Sequence, residues 1–110
     1  MKLLALASLA LVASCTPQVA PAPAGWRLEF AYTFDHLDTT VWSLGTHTFD
    51  GNAAQFRPYN AAIRHGRLEL TLKPDQVEDR HYSGAELELR QPYKYGRYEV
   101  RMRAAKGNAV

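Results

Sequence analysis

The stretch GRLELTLK, residues 66–73, decides the fold class. Leu68, Leu70 and Leu72 point one way, and Arg67, Glu69, Thr71 and Lys73 point the other. A period of two belongs to a strand with one buried face. Outward from this stretch the same alternation recurs. In residues 95–104, YGRYEVRMRA, Tyr98, Val100 and Met102 alternate with Glu99, Arg101 and Arg103. Leu87 and Leu89 stand opposite Glu86, Glu88 and Arg90. Upstream, Trp26, Leu28, Phe30, Tyr32 and Phe34 alternate with Arg27, Glu29, Ala31 and Thr33, which reads as a first strand. Residues 35–40 are turn-like and lead to Val41 and Trp42, residues 45–52 read as a loop, and residues 74–80 form a polar connection. No segment after residue 25 carries a helical stripe. Short strands parted by turns predict an all-β sandwich or barrel. Trp26, Phe30, Phe34 and Trp42 are expected in its core, with Tyr98, Val100 and Met102 buried and Arg101 exposed.

The chain before the first strand has a different character. Met1 and Lys2 precede an apolar run over residues 3–12, which is too short to span a bilayer but suits a secretory signal. The run closes on Val12-Ala13-Ser14-Cys15, which resembles a bacterial lipobox. Residues 1–14 are therefore read as a lipoprotein signal peptide, and Cys15 as the lipidated residue. The other reading is an ordinary signal peptide cut near Ala24. Residues 15–25 continue as a Pro/Ala-rich linker, extended and semi-rigid. Acyl chains on Cys15 would tether the protein to a membrane. Thr16, standing where an Asp would signal retention, favours export to the outer membrane. Residues 26–110 hold the folded part.

The chain carries 13 Lys+Arg against 11 Asp+Glu and a formal net charge of +2. Its basic residues alternate along strands instead of forming a patch, so no nucleic-acid partner is expected. Cys15 is the only cysteine, which excludes an intrachain disulfide. His36, His47, His65 and His81 show no metal-ligand spacing and are read as surface residues. No cofactor is expected, and the protein is expected to be a monomer. Glu86 and Glu88 share one face of a strand, about 6.6–7 Å apart from strand rise alone. That separation falls within the range for an inverting glycosidase, about 6.5–9.5 Å. The competing reading is a solvated strand face, and it is the one adopted.

Three segments carry a family resemblance. FDHLDTTVW, residues 34–42, resembles the F-D-x-L-D-x-x-x-W segment near the start of glycoside hydrolase family 16 domains. Residues 60–72, followed by YSGAE at 82–86, resemble the strand pair that comes next in that family. YGRYEVRMRAAKG, residues 95–107, is similar to Y-G-x-Y-E-x-R-M-K-x-A-x-G. The order matches, and the nearest members are lichenases and laminarinases.

The resemblance implies a jelly-roll, concanavalin-like β-sandwich, of which this chain holds the N-terminal strands. It implies hydrolysis of internal β-linkages in a β-1,3 or mixed β-1,3-1,4 glucan, with retention. The catalytic carboxylates are expected in an E-x-D-x-E strand beyond Val110, so the 110-residue chain is expected to be inactive alone. Glu86 aligns with a family glutamate that contacts sugar. Phe56, Tyr59, Tyr93 and Tyr95 are candidate sugar platforms, because pyranose C–H faces stack on aromatic rings; Tyr82 is a further one. Lichenases carry a bridging cysteine pair at positions matching Ala54 and Gly84, and both are absent here. Some members hold a structural calcium through backbone carbonyls. The matching positions lie near Thr33 and Gly66, with the acidic ligand beyond Val110. The alternatives are a non-catalytic carbohydrate-binding module of the same fold, or a small outer-membrane lipoprotein with a structural role. The coding sequence after Val110 separates them.

Overall fold

The computed structural model describes residues 19–107. The signal peptide and Cys15 lie outside the described residues. Among the described residues six short strands form, joined by turns and a single 3-10 turn at Pro58–Asn60. The strands are β1 (Trp42–Leu44), β2 (Ala54–Phe56), β3 (Ala61–Arg64), β4 (Arg67–Leu70), β5 (Tyr82–Gly84) and β6 (Leu87–Leu89). The architecture is all-β, as the alternation predicts. Among the described residues no helix is long and apolar enough to cross a membrane.

The strands pair two by two. β1 and β6 run antiparallel with Trp42 opposite Leu89 and Leu44 opposite Leu87. β2 and β5 run parallel with Gln55 opposite Ser83. β3 and β4 form an antiparallel hairpin with Ala61 opposite Leu70. The hairpin turn follows from its two central residues. His65 (φ 51°) and Gly66 (φ 66°) both lie in the left-handed region. A two-residue loop with both φ positive is type I′, whose twist matches that of the flanking strands. Glycine adopts this φ without a Cβ penalty, and histidine is among the residues enriched there.

A polar cluster joins hairpin, β5 and the 74–81 connection. Ser83 is fully buried. Its hydroxyl donates to Asp75 Oδ1 at 2.5 Å and accepts from Asn60 Nδ2 at 2.7 Å. Asn60 Nδ2 also donates to the Gly84 carbonyl at 3.1 Å. The Ser83 amide donates to Asp75 Oδ1 and to the Lys73 carbonyl, and the Lys73 amide donates back to the Ser83 carbonyl at 2.8 Å. Ala54 is the buried apolar residue of this region, beside buried Gln55, Asn60 and Ser83. The centre is therefore held by hydrogen bonds more than by apolar area. Such bonds contribute about 1 kcal/mol each when made, but leave a penalty of about 1–3 kcal/mol when a buried partner is removed.

A second cluster is aromatic. Tyr32 stands edge-on to Trp42 at 5.5 Å and to Phe34 at 5.0 Å, and Phe30 packs near Trp42 and Tyr93. The Tyr32 hydroxyl donates to the His36 carbonyl and accepts from the Asp38 amide, which fastens the turn before β1. Asp38 Oδ1 accepts from both the hydroxyl and the amide of Thr40. The Thr40 hydroxyl bond, then the amide bond, hold the Asp38 carboxyl below its ordinary value. A folded value below the unfolded one contributes stability above about pH 4, lost as pH falls through the folded value.

Three expectations are corrected. Residues 26–34 run without a ladder partner, and Phe34 turns the chain at φ 56°. Trp26 is 56% exposed and not core, Phe30 is also exposed, and Phe34 and Trp42 are only half-buried. Residues 95–104 likewise form no strand: Tyr98, Val100 and Met102 are exposed, Val100 by 77%. The physical reason is common to all three. An alternating segment becomes a strand only when a neighbour takes its N–H and C=O groups, and its apolar face is buried only when a second layer covers it. Among the described residues, neither partner nor cover is supplied to these segments.

Candidate functional site

The site forms where residues 45–50 lie along β2. The arm is pinned by its backbone. The Phe56 amide donates to the His47 carbonyl at 2.9 Å, and the Thr48 hydroxyl donates to the Ala54 carbonyl at 2.7 Å. Gln55 Nε2 and Arg57 Nη1 both donate to the Thr46 carbonyl. At the base of the arm the Gly45 amide donates to the Glu86 carbonyl at 3.1 Å. Beyond it the chain turns through Gly51, at φ 83°, and the Asn52 side chain caps the Ala54 amide.

This arrangement brings Glu86, Gly45, His47 and Phe56 together. A Cβ at position 45 would stand 2.7 Å from Glu86 Oε1 and 2.9 Å from Glu86 Cβ. Only a glycine leaves room for that carboxylate. The Glu86 side chain is 25% exposed, and its Oε1 is buried with no hydrogen-bond partner. His47 Nε2 lies 3.6 Å from it, close for an ion pair and long for a hydrogen bond. The imidazole stands edge-on to Phe56 at 5.4 Å, and Phe49 lies tilted to that ring at 6.2 Å. A buried carboxylate oxygen lacking a donor is a costly arrangement in a resting protein. The rest of the carboxylate, on a side chain that is a quarter exposed, stays open to hydroxyl groups of a ligand, beside a ring able to stack on a sugar face.

Of the residues singled out in the sequence, Glu86 and Phe56 are neighbours here. Tyr59 lies exposed on the 3-10 turn with Lys73 Nζ 5.4 Å from its ring centre. Tyr93 packs on Phe30 and lines a shallow depression of about 290 Å³ with Val41, Leu89 and Arg90. Tyr95 projects free at 96% exposure. Tyr82 borders a smaller depression of about 180 Å³ with Ala54 and Leu72. Glu88 faces solvent from β6 opposite Ser43, unlike Glu86. Among the described residues no three His, Cys, Asp or Glu groups converge to hold a metal. Thr33 donates its hydroxyl to Asp35, and Gly66 lies in the hairpin turn.

Gly45, His47 and Phe49 escape a reading by composition, which sees a loop. The signal is the alternation in GTHTF, residues 45–49. Thr46 and Thr48 bond toward β2, while His47 and Phe49 carry the rings against Phe56. A short run of period two inside a glycine-bounded loop marks an arm laid on a sheet.

Where cysteines stand in the resembling enzymes, Ala54 and Gly84 are close. A Cβ at position 84 would lie 3.6 Å from Ala54 Cβ, within the disulfide range of about 3.5–4.5 Å.

No family model matches the chain. It is 31% identical over 84 residues to endo-1,3-1,4-beta-glycanase ExoK of Rhizobium meliloti (strain 1021), a match that spans 74% of this chain and 31% of that protein. Among solved structures it resembles a prokaryotic β-1,3-1,4-glucanase (lichenase) derived from a mouse hindgut metagenome. There the TM-score is 0.55 at 28% identity, over 61% of this chain and 33% of the other. The chain thus spans about a third of the length of the relatives it matches. The lichenase fold is a jelly roll, and the three ladders correspond to part of that architecture.

Proposed function

From a chain related to the family 16 β-glucanases through the N-terminal part of their fold, we propose that the protein hydrolyses internal β-1,3 or mixed β-1,3-1,4 linkages of a glucan. Glu86 carries the proposal. Its carboxylate stands beside Phe56 with one oxygen buried and unpartnered, and its second oxygen is suited to accept hydrogen bonds from sugar hydroxyls while the ring stacks on a pyranose face. In this reading residues 45–56 and Glu86 form one wall of a glucan cleft. The reaction proceeds with retention. One carboxylate attacks the anomeric carbon as another protonates the departing oxygen. Water then releases the glycosyl-enzyme, with the second carboxyl now acting as base. Such a pair stands about 5–5.5 Å apart. By resemblance it belongs to an E-x-D-x-E strand after residue 110, and Glu86 and Glu88 are not that pair. Export through a lipid anchor at Cys15 to the outer membrane completes the proposal and would put the enzyme where polysaccharide is met.

The test is the full-length protein incubated with lichenan and with laminarin, following reducing ends and the anomer first released. Release of the β-anomer from either glucan, with Glu86→Gln raising KM, supports the reading. Glucan binding without reducing ends would favour the carbohydrate-binding module. Neither binding nor turnover would overturn both.

A further inference from the structure

We propose that Gly45 and His47 are positioning residues for Glu86, one by leaving space and the other by supplying a donor. The proposal rests on the reading of Glu86 as a sugar contact and goes beyond it, because neither residue need touch sugar. The steric half follows from the distances. A methyl group at position 45 would press on Glu86 at both Cβ and Oε1, well inside van der Waals contact. The Cβ clash is with the root of the side chain, which no rotamer change relieves. The backbone carrying Glu86 would therefore shift, and the carboxylate would lose its place beside Phe56.

The polar half follows from the unpartnered oxygen. Oε1 is shut off from solvent, and His47 Nε2 lies 3.6 Å from it. The other charged groups on adjoining elements are otherwise engaged or turned away. Arg57 is bound to the Thr46 carbonyl and to Glu78, Glu88 faces solvent, and Asp50 sits in the exposed turn. His47 is itself braced: its backbone carbonyl accepts from the Phe56 amide, and its ring rests edge-on against Phe56. A shift of less than 1 Å makes a hydrogen bond of ordinary length. His47 thus offers Glu86 a donor on the protein side and leaves the second carboxylate oxygen for a sugar hydroxyl. Orientation of this kind lowers the entropy that a ligand must otherwise overcome.

The test measures binding of a mixed-linkage β-1,3-1,4-glucan tetrasaccharide to the full-length protein by calorimetry. His47 is largely exposed, so its variants should keep the wild-type thermal midpoint. We expect His47→Leu to weaken binding about 5- to 10-fold, His47→Gln to restore it to within about 2-fold through its amide donor, and Gly45→Ala to weaken it at least 10-fold. On a Glu86→Gln background the His47→Leu effect should fall below about 2-fold, as coupled partners require. If Glu86→Gln weakens binding but His47→Leu does not, or if His47→Gln is no better than His47→Leu, the positioning proposal fails and the reading of Glu86 stands. If Glu86→Gln leaves affinity unchanged, the reading of Glu86 fails first.

Discussion

Residues 67–70 and residues 98–103 carry the same alternation of apolar and charged side chains, and only the first are a strand. β4 meets β3 across a type I′ turn, and the next residues continue to bond. The Thr71 amide donates to the Asn60 carbonyl, and Lys73 exchanges two bonds with Ser83. Residues 98–103 stay extended with their backbone unpaired and their apolar side chains in solvent among the described residues. The pattern encodes the capacity to be a strand. A neighbour that satisfies the backbone decides whether that capacity is used.

The paired side can be locked. Ala54→Cys with Gly84→Cys should form a bridge across β2 and β5, because the two Cβ atoms would stand 3.6 Å apart. Closing a loop of about 30 residues should stabilise the ladders by about 3–4 kcal/mol in the chain-entropy view. Loss of two thiols on oxidation, with a higher unfolding midpoint, checks it. A pair that stays reduced under air would contradict the parallel register of β2 and β5.

The paired side can also be broken. Ser83→Ala strips Asp75 and Asn60 of their buried partner and should cost about 1–3 kcal/mol in denaturant unfolding. Val100→Asp, on the other side, should change stability by less than about 0.5 kcal/mol in the 110-residue chain, no more than Arg101→Asp, since both positions are exposed. The alternation alone predicts a severe loss for Val100→Asp through a buried charge, so this pair of variants separates pattern from pairing.

Much of this was legible in the residues. Leu68, Leu87 and Leu89 alternate as β4 and β6 require, and YSGAE at 82–86 holds β5 and the site glutamate together. What was not legible has physical causes. Trp26 and Phe30 look like core because large apolar residues generally are, but burial needs a covering layer that composition does not report. His65 looks like a surface histidine and is also half of a turn that only its φ reveals. Gly45 looks like loop flexibility; its role is a vacancy that depends on Glu86, 41 positions later. His47 becomes interesting only once that distant carboxylate is beside it. Sites assembled from far-apart residues are hidden from local pattern for this reason, whereas the ladders follow from it.

Amide hydrogen exchange on the 110-residue chain tests most directly whether pairing, and not pattern, makes the strand. The account predicts slowed exchange at Phe56, Arg57, Thr71, Lys73 and Ser83, whose amides are bonded across the ladders or, for Phe56, to the arm at His47. It predicts exchange near the free-peptide rate for Glu99, Val100, Arg101, Met102 and Arg103. Equal protection of the two groups would contradict it, as would protection of residues 99–103 above that of β4 and β5.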